Sequence, residues 1–381
     1  MKLGNLSSNL YRRACICVLF FIAASASFNG FYDKWHLREA GVALGAANGD
    51  GDRYGLADML NGTATRPFVY RQLLPVVANW LDKALPLDAK ERIENFSFSS
   101  GQGHLMDVIG ASPLASDPAY SFRYLVVYTA TFFFVWLSVF AMYQVCKALQ
   151  FPVLACVFAP VVLILMIPYF MSLGGYYYDY PELAFLAIAA WMALKVDWWW
   201  MLPVVALASW NKETFMLITL TLYPLIRTRH SRMNAMTGTG FLFATCAAIN
   251  FWIRQHYAHN GGGAVLMHLR NQIIFLIHPL NLLGMEKTYG VPAFSPSAIA
   301  PLVLIFLTVR YGWRWLPAEI RQHGQIAAAI NIPLYLFFGM PGELRALSML
   351  YILLLVLIAT NLSAEFKADN VRVMEGAERW L

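Results

Sequence analysis

Charged side chains are scarce in this chain of 381 residues: 13% are Asp, Glu, Lys or Arg, whereas 59% are hydrophobic. A typical soluble domain is about a quarter charged and about half apolar. Together with a mean hydropathy of +0.52, this composition excludes a soluble enzyme and a disordered chain. It also excludes a nucleic-acid-binding protein, because the basic residues behind the net charge of +6 lie between apolar runs and form no patch.

Cysteine is scarce as well. The five cysteines all lie inside apolar runs, at Cys15, Cys17, Cys146, Cys156 and Cys246. Their spacing fits no metal-binding pattern and indicates no disulfide. The chain also lacks an internal repeat and a low-complexity tract. The sequence therefore predicts neither a metal site nor a resident cofactor, and it leaves open whether a divalent metal is required.

Long apolar runs recur from residue 14 to residue 362. A bilayer core of about 30 Å needs about 20 apolar residues per helix. Ten segments meet or approach this length: 14–31, 122–146, 151–171, 181–195, 198–211, 214–226, 235–253, 292–309, 325–341 and 345–362. We therefore predict an all-α polytopic membrane protein of about ten transmembrane helices, with residues 1–381 forming one transmembrane domain.

The distribution of Lys and Arg predicts the orientation. Ala24-Ser25-Ala26 resembles a signal-peptide cleavage site, but the apolar run continues to Phe31, which favours an uncleaved first helix. Short loops on the side of the amino terminus carry most of the basic residues, and positive charge in short loops marks the cytoplasmic side. We expect a multi-pass inner-membrane protein with both termini in the cytoplasm.

Two long loops, 32–121 and 254–291, are extracytoplasmic in this topology. Each contains an amphipathic piece too short to span, at 70–81 and 272–283. Such pieces are typical of helices that lie along the membrane surface. We therefore predict extracytoplasmic interfacial helices, which either cover a site or fill space between spans.

Ionisable residues recur at helix ends, and the predicted topology places all of them on the extracytoplasmic side. The acidic candidates are Asp33, Asp52, Asp179, Glu182, Glu213 and Glu343, and the basic candidates are Arg66, Arg71, Lys212 and Arg345. Ionisable groups at membrane depth are costly, and they usually face a partner or a water-filled site. The sequence favours a functional cluster, the alternative being salt bridges that tie helix ends together.

This alternation of acid and base suits sugar transfer from a lipid-linked phosphate. A carboxylate can take a proton from a hydroxyl nucleophile. Arg and Lys can hold the phosphate leaving group, Arg through its planar fork of N–H donors. The lipid tail of such a donor would lie in the bilayer, with its headgroup at the depth of these residues.

The order of features resembles that of the GT-C superfamily of integral-membrane glycosyltransferases. Asp52-Arg-Tyr-Gly-Leu-Ala57, with Gly62 and the stretch Arg66 to Arg71, is similar to the first-loop pattern of that superfamily. Gly342-Glu-Leu-Arg345 resembles its acidic-x-Arg element near the carboxyl end. Two features depart from the pattern: Asp33 follows the first span without a paired acid, and Asp52 lies about twenty residues later.

The resemblance implies an all-α GT-C-like bundle, a polyprenyl-phosphate sugar as donor, and a glycan, lipid or protein hydroxyl as acceptor. The general base would be Asp33, favoured by its position, or Asp52, favoured by its spacing. Arg66, Arg71, Lys212 and Arg345 would bind the donor phosphate. Asp179, Glu182, Glu213 and Glu343 would orient cations or the acceptor, and His36 would help to position the acceptor.

Three alternatives stay open. A transporter or flippase would place its site near the membrane midplane on broken helices within repeated halves. A related polymerase or ligase would move whole oligosaccharides instead of single sugars. In a non-enzymatic assembly partner, the charged helix ends would be structural ion pairs only.

Overall fold

The computed structural model describes residues 3–47, 54–96, 113–171, 174–263 and 267–378. The first part of this chain forms α1 (Leu3–Ala47), α2 (Leu56–Leu60), α3 (Leu73–Ala84), α4 (Leu87–Phe96), α5 (Ser121–Ala148), α6 (Val153–Phe170) and α7 (Asp179–Lys195). The remainder forms α8 (Leu202–Asn211), α9 (Phe215–Thr221), α10 (Tyr223–Arg227), α11 (Arg232–His256), α12 (Leu269–Ile277), β1 (Met285–Thr288), β2 (Val291–Phe294), α13 (Ile299–Gly312), α14 (Ala318–Phe338) and α15 (Tyr351–Glu378). Short 3-10 turns cover Phe68–Tyr70, Pro113–Ser116, Trp198–Met201, Pro279–Leu283, Trp313–Trp315 and Leu344–Leu350.

Five helical stretches in the described residues are long and apolar enough to cross a membrane. They are Leu10–Trp35, Ser121–Ala148, Val153–Phe170, Arg232–His256 and Leu344–Glu365. This is the architecture of a mostly helical membrane protein. The other predicted spans coincide with shorter or more polar helices, so the five long spans account for only part of the predicted ten.

The first helix is longer than the sequence indicated. α1 does not end near Phe31: it is 45 residues long and runs from Leu3 to Ala47, so the first loop begins later than residue 32. The extension contains no proline, and it buries Trp35 and Glu39. Because this added stretch finds a buried face, it stays helical after the apolar run ends.

A two-stranded hairpin lies at the end of the predicted second loop and overlaps the start of the predicted span 292–309. β1 pairs antiparallel with β2, and Thr288 and Val291 are the pair closest to the turn. The predicted span 292–309 is therefore wrong at its start, since α13 begins only at Ile299. Pro292 and Pro296 explain the delay, because a proline disfavours helical conformation in the residue before it.

The helices pack into a bundle with two distinct ends. α5 packs against α6 and α7, α1 packs against α5 and α6, and α15 packs against α6. At one end, a cavity is lined by Gln150, Leu194, Thr228 and Glu319, which lie at the carboxyl ends of α5, α7 and α10 and at the start of α14. α7 begins at Asp179, at the opposite end of the bundle, and a group of charged side chains meets there.

Candidate functional site

Seven of the predicted site residues meet in one place, although they come from four separate stretches of the chain. We name them the charge cluster, and its members are Arg71, Asp179, Glu182, Lys212, Glu213, Glu343 and Arg345. All seven side chains are at least 80% shielded from solvent. The cluster contains three cations and four carboxylates.

Each stretch delivers its charges at a helix end or helix break. Asp179 and Glu182 occupy the first turn of α7, where the positive end of the helix dipole favours acidic side chains. Lys212 has extended backbone angles and separates α8 from α9. The charged side chains of the cluster therefore lie at helix ends, and none of them interrupts a helix in its middle.

Asp179 is shared between two cations. Its Oδ2 atom accepts a hydrogen bond from Arg345 Nη1 at 2.7 Å, and its Oδ1 atom lies 3.4 Å from Lys212 Nζ. The backbone N–H of Tyr176 also donates to Oδ2 at 2.8 Å. Arg345 uses its Nε atom for Glu343, at 2.6 Å. Asp179 therefore links the start of α7 to the turn before α15 and to the break before α9.

Glu182 is the most enclosed carboxylate of the charge cluster, with 3% of its side chain exposed. Lys212 Nζ donates to its Oε2 atom at 2.5 Å. Thr214 and Ser348 donate their hydroxyl protons to Oε1 at 3.1 and 3.0 Å. A buried carboxylate with this many donors is fully satisfied, which is the condition for burying a charge at tolerable cost.

Arg71 and Glu213 form the bidentate pair of the charge cluster. Arg71 Nη2 and Nε donate to the two carboxylate oxygens of Glu213 at 3.0 and 3.3 Å, and Nη1 donates to the hydroxyl oxygen of Tyr178. Burial alone lowers the pKa of Arg71, but the charge of Glu213 outweighs it and raises the pKa above its ordinary value. For Glu213, burial raises the pKa, and Arg71 more than reverses this, so the pKa is lowered. Both groups are therefore charged at neutral pH.

The cations of the charge cluster rest on aromatic rings. The guanidinium carbon of Arg71 lies 4.4 Å from the ring centroid of Tyr178, and that of Arg345 lies 4.7 Å from the ring centroid of Tyr176. The two tyrosine rings stack on each other at 4.8 Å. Cation–π contacts of this kind hold guanidinium groups in a fixed plane. One nitrogen of Arg345, Nη2, makes no hydrogen bond with any described residue.

The other predicted site residues lie outside the charge cluster. Arg66 bonds to the second loop instead: its backbone N–H donates to Gly261 and its Nη2 atom donates to Gly262. Gly262 suits this contact, since its φ is +87° and a Cβ there would lie 2.7 Å from the carbonyl oxygen of Arg66. Asp33 is exposed on α1 and forms no ion pair with the described residues. Asp52 and the side chain of His36 lie outside the described residues.

Several polar partners of the site were not among the predicted residues. Thr214 and Ser348 bind Glu182. A further buried acid, Glu39 on α1, accepts hydrogen bonds from the backbone N–H of Leu56 and the hydroxyl of Tyr124. Thr214 directly follows Glu213, and Ser348 lies one helical turn after Arg345. Their closeness in sequence to predicted site residues could therefore have identified both. Glu39 had a weaker signal, an acid in an otherwise apolar and basic stretch.

Comparisons with family models, with curated proteins and with solved structures found no match to this chain. Within the part of the chain that the structure describes, no three His, Cys, Asp or Glu side chains are placed together to hold a metal ion. The chemistry of the site therefore has to be argued from its own geometry.

Proposed function

We propose that this protein is a membrane glycosyltransferase that moves a sugar from a polyprenyl-phosphate donor to a hydroxyl acceptor on the extracytoplasmic face. The observation that carries the proposal is the convergence of Arg71, Lys212 and Arg345 at one end of the apolar bundle. Lipid-linked donors present their phosphate at that depth. The GT-C-like order of the sequence features agrees with this assignment.

The cations suit the leaving group. As the bond between the sugar and the phosphate breaks, negative charge develops on the phosphate, and preorganised cations in a dry site stabilise it. Arg345 is best suited to direct contact, because its Nη2 atom keeps its donors free of described partners. Asp179 and Glu343 hold that guanidinium in place through its other nitrogens.

The carboxylates of the charge cluster are poorly suited to serve as the base. A carboxylate that is paired with a cation is a weaker base, because the cation stabilises its ionised form. Asp33 is exposed and free of such pairing among the described residues, and it remains the first candidate together with Asp52. In the proposed step, this base removes the acceptor hydroxyl proton. The acceptor oxygen bonds to the anomeric carbon, and polyprenyl phosphate leaves with the electron pair of the broken C–O bond.

The test is a transfer assay in membranes that contain the chain, with radiolabelled polyprenyl-phosphate hexoses and pentoses as donors. Replacing both candidates, Asp33→Asn with Asp52→Asn, is expected to lower the rate of transfer at least a hundredfold, the usual range for loss of a general base. Asp88→Asn is the matched control, because Asp88 is an exposed acid at the start of α4 in the same loop region. A double variant that transfers as fast as the Asp88 control would refute the assigned base.

One observation favours a transporter as the second candidate. Lys212 and Glu213 separate two short helices, α8 and α9, and broken helices beside buried charges are typical of transport sites. Liposomes that contain the purified chain distinguish the two functions. Translocation of a fluorescent polyprenyl phosphate without any sugar transfer would favour the transporter, and transfer without translocation favours the enzyme.

A further inference from the structure

Four aromatic rings form a continuous row beside the charge cluster. We name it the aromatic row, and it consists of Tyr54, Phe68, Tyr176 and Tyr178. Successive ring centroids lie 5.5, 5.7 and 4.8 Å apart, with interplanar angles of 37°, 37° and 11°. The rings come from three distant stretches of sequence, so the fold assembles this row over the charges.

The two ends of the aromatic row differ. Tyr176 and Tyr178 are buried, with exposures of 6% and 0%, and their faces carry Arg345 and Arg71. Tyr54 and Phe68 are only half-buried. The row therefore leads from the enclosed cations to two aromatic residues that remain partly exposed.

An accessible ring beside fixed cations suits a particular ligand, a sugar ring that carries a phosphate. The face of a pyranose ring is built from C–H groups, which pack favourably on an aromatic face, and its hydroxyls project sideways toward polar groups. Arg345, whose Nη2 atom is the donor proposed for the phosphate, lies 4.7 Å from the ring centroid of Tyr176, and that ring lies 5.7 Å from Phe68. A phosphate on Arg345 would therefore place its attached sugar within reach of the outer rings. An unsubstituted lipid phosphate would gain nothing from them.

We infer that Tyr54 and Phe68 are the platform on which the sugar ring of the donor stacks, next to the cations that bind its phosphate. The inference rests on the proposed function, and it adds the part of the site that would hold the sugar ring of the donor. Both residues lie in the first-loop stretches 52–57 and 66–71, but neither was among the predicted site residues. Phe68 is the more important of the two, because it lies between Tyr54 and the cation-bearing rings.

The test measures binding separately from transfer. Saturation-transfer NMR on the detergent-solubilised full chain is recorded with a panel of hexose and pentose 1-phosphates, and with inorganic phosphate as competitor. We expect saturation of sugar ring protons in the wild type and at least a tenfold weaker affinity in Phe68→Leu and Tyr54→Leu. Phe68→Tyr, which keeps the ring, should retain binding. Tyr311→Leu is the matched control, because Tyr311 also contacts an arginine, Arg314, but lies at the end of α13.

The membrane transfer assay on the same variants separates this inference from the proposed function. We expect the KM for the lipid-linked donor to rise at least tenfold in Phe68→Leu, with a smaller change in kcat.

If the wild type transfers sugar and Phe68→Leu keeps both its KM and its affinity, the platform is wrong and the enzyme assignment stands. Ring-dependent binding without any transfer would keep the platform and overturn the enzyme assignment. Absence of both binding and transfer in the wild type would overturn both. Elution on size-exclusion chromatography identifies a variant that has lost its fold, and Tyr54→Leu, at the outer end of the row, then decides: unchanged affinity and KM in that variant would overturn the platform.

Discussion

At the scale of single residues, the charge cluster is stabilised by its internal partners. Burying seven ionised side chains is costly unless every charge is paired and hydrogen-bonded. Glu182 meets this condition with three donors, and Arg71 meets it with a bidentate carboxylate. The cluster is therefore sensitive to loss of any one partner, because the remaining partner stays buried with its charge.

Glu213→Gln is expected to destabilise the protein by about 3 kcal/mol, since it leaves the guanidinium of Arg71 buried without its countercharge. The measurement is thermal unfolding in detergent, followed by intrinsic fluorescence. Asp82→Asn is the control, because it breaks the more exposed Lys90–Asp82 pair, whose side chains are 19% and 34% exposed. That change should cost less than about 1 kcal/mol. Equal effects of the two changes would show that the Arg71–Glu213 pair is not enclosed as described.

The same pair predicts a dependence of stability on pH. Because Arg71 lowers the folded-state pKa of Glu213 below its ordinary value of 4.5, the pair contributes its full stability above that value. The contribution disappears as the pH falls below 4.5 and through the lowered pKa. The difference in melting temperature between wild type and Glu213→Gln should therefore be constant from pH 5 to 8 and shrink in more acidic buffer. A difference that widens in acid would contradict the assigned direction.

At the scale of elements, the β1–β2 hairpin is fastened to the bundle by a few side-chain bonds. Lys34 Nζ donates to Glu286 and to the carbonyl oxygen of Pro168, both at 2.9 Å. Tyr289 donates its hydroxyl proton to the carbonyl oxygen of Leu165 at 2.7 Å. The bonds of Glu286 and Tyr289 join the hairpin to α1 and to α6, and the bond from Lys34 to Pro168 ties those two helices together. The hairpin therefore covers that end of the bundle.

Lys34→Met is expected to loosen the hairpin, because Glu286 loses its cation and β1 loses its bond to α1. Hydrogen–deuterium exchange measured by mass spectrometry should show faster exchange in 285–294, by about tenfold, with the long helices unchanged. Lys287→Met provides the control, since Lys287 is the neighbouring lysine on β1 and its side chain is exposed. If both variants exchanged equally fast in the hairpin, the Lys34–Glu286 contact would not be what fastens it.

The elements also show how far sequence reasoning extends. The apolar runs and the charged helix ends selected the seven residues that meet, together with others that do not. The clearest signal came from Asn211 to Glu213 and Glu343 to Arg345, which interrupt apolar sequence with almost no loop around them. The hairpin was missed because strands of four residues carry too little pattern to compete with the apolar run that follows. The aromatic row was missed for another reason: Tyr54 and Tyr176 are 122 positions apart, and no local pattern connects them.

At the scale of the whole molecule, the two ends of the bundle have different chemistry. One end holds the charge cluster, the aromatic row and the hairpin. The other end contains the carboxyl ends of α5, α7 and α10, whose last turns carry Lys147, Lys195 and Arg227. The basic end is predicted to face the cytoplasm, because short basic loops are retained there. The site would then face the opposite side, where a lipid-linked donor is presented for extracytoplasmic transfer.

Single-cysteine labelling tests this orientation. In a chain whose five cysteines are replaced by serine or alanine, Lys287→Cys places a thiol on the hairpin and Arg229→Cys places one at the basic end. Both parent side chains are exposed, so the accessibility of the two thiols differs only by the side of the membrane. A membrane-impermeant maleimide added to intact cells should label Lys287→Cys, whereas Arg229→Cys should react only after permeabilisation. The reverse pattern would place the charge cluster on the cytoplasmic side, where an extracytoplasmic acceptor could not reach it, and the proposed transfer would be wrong in its location.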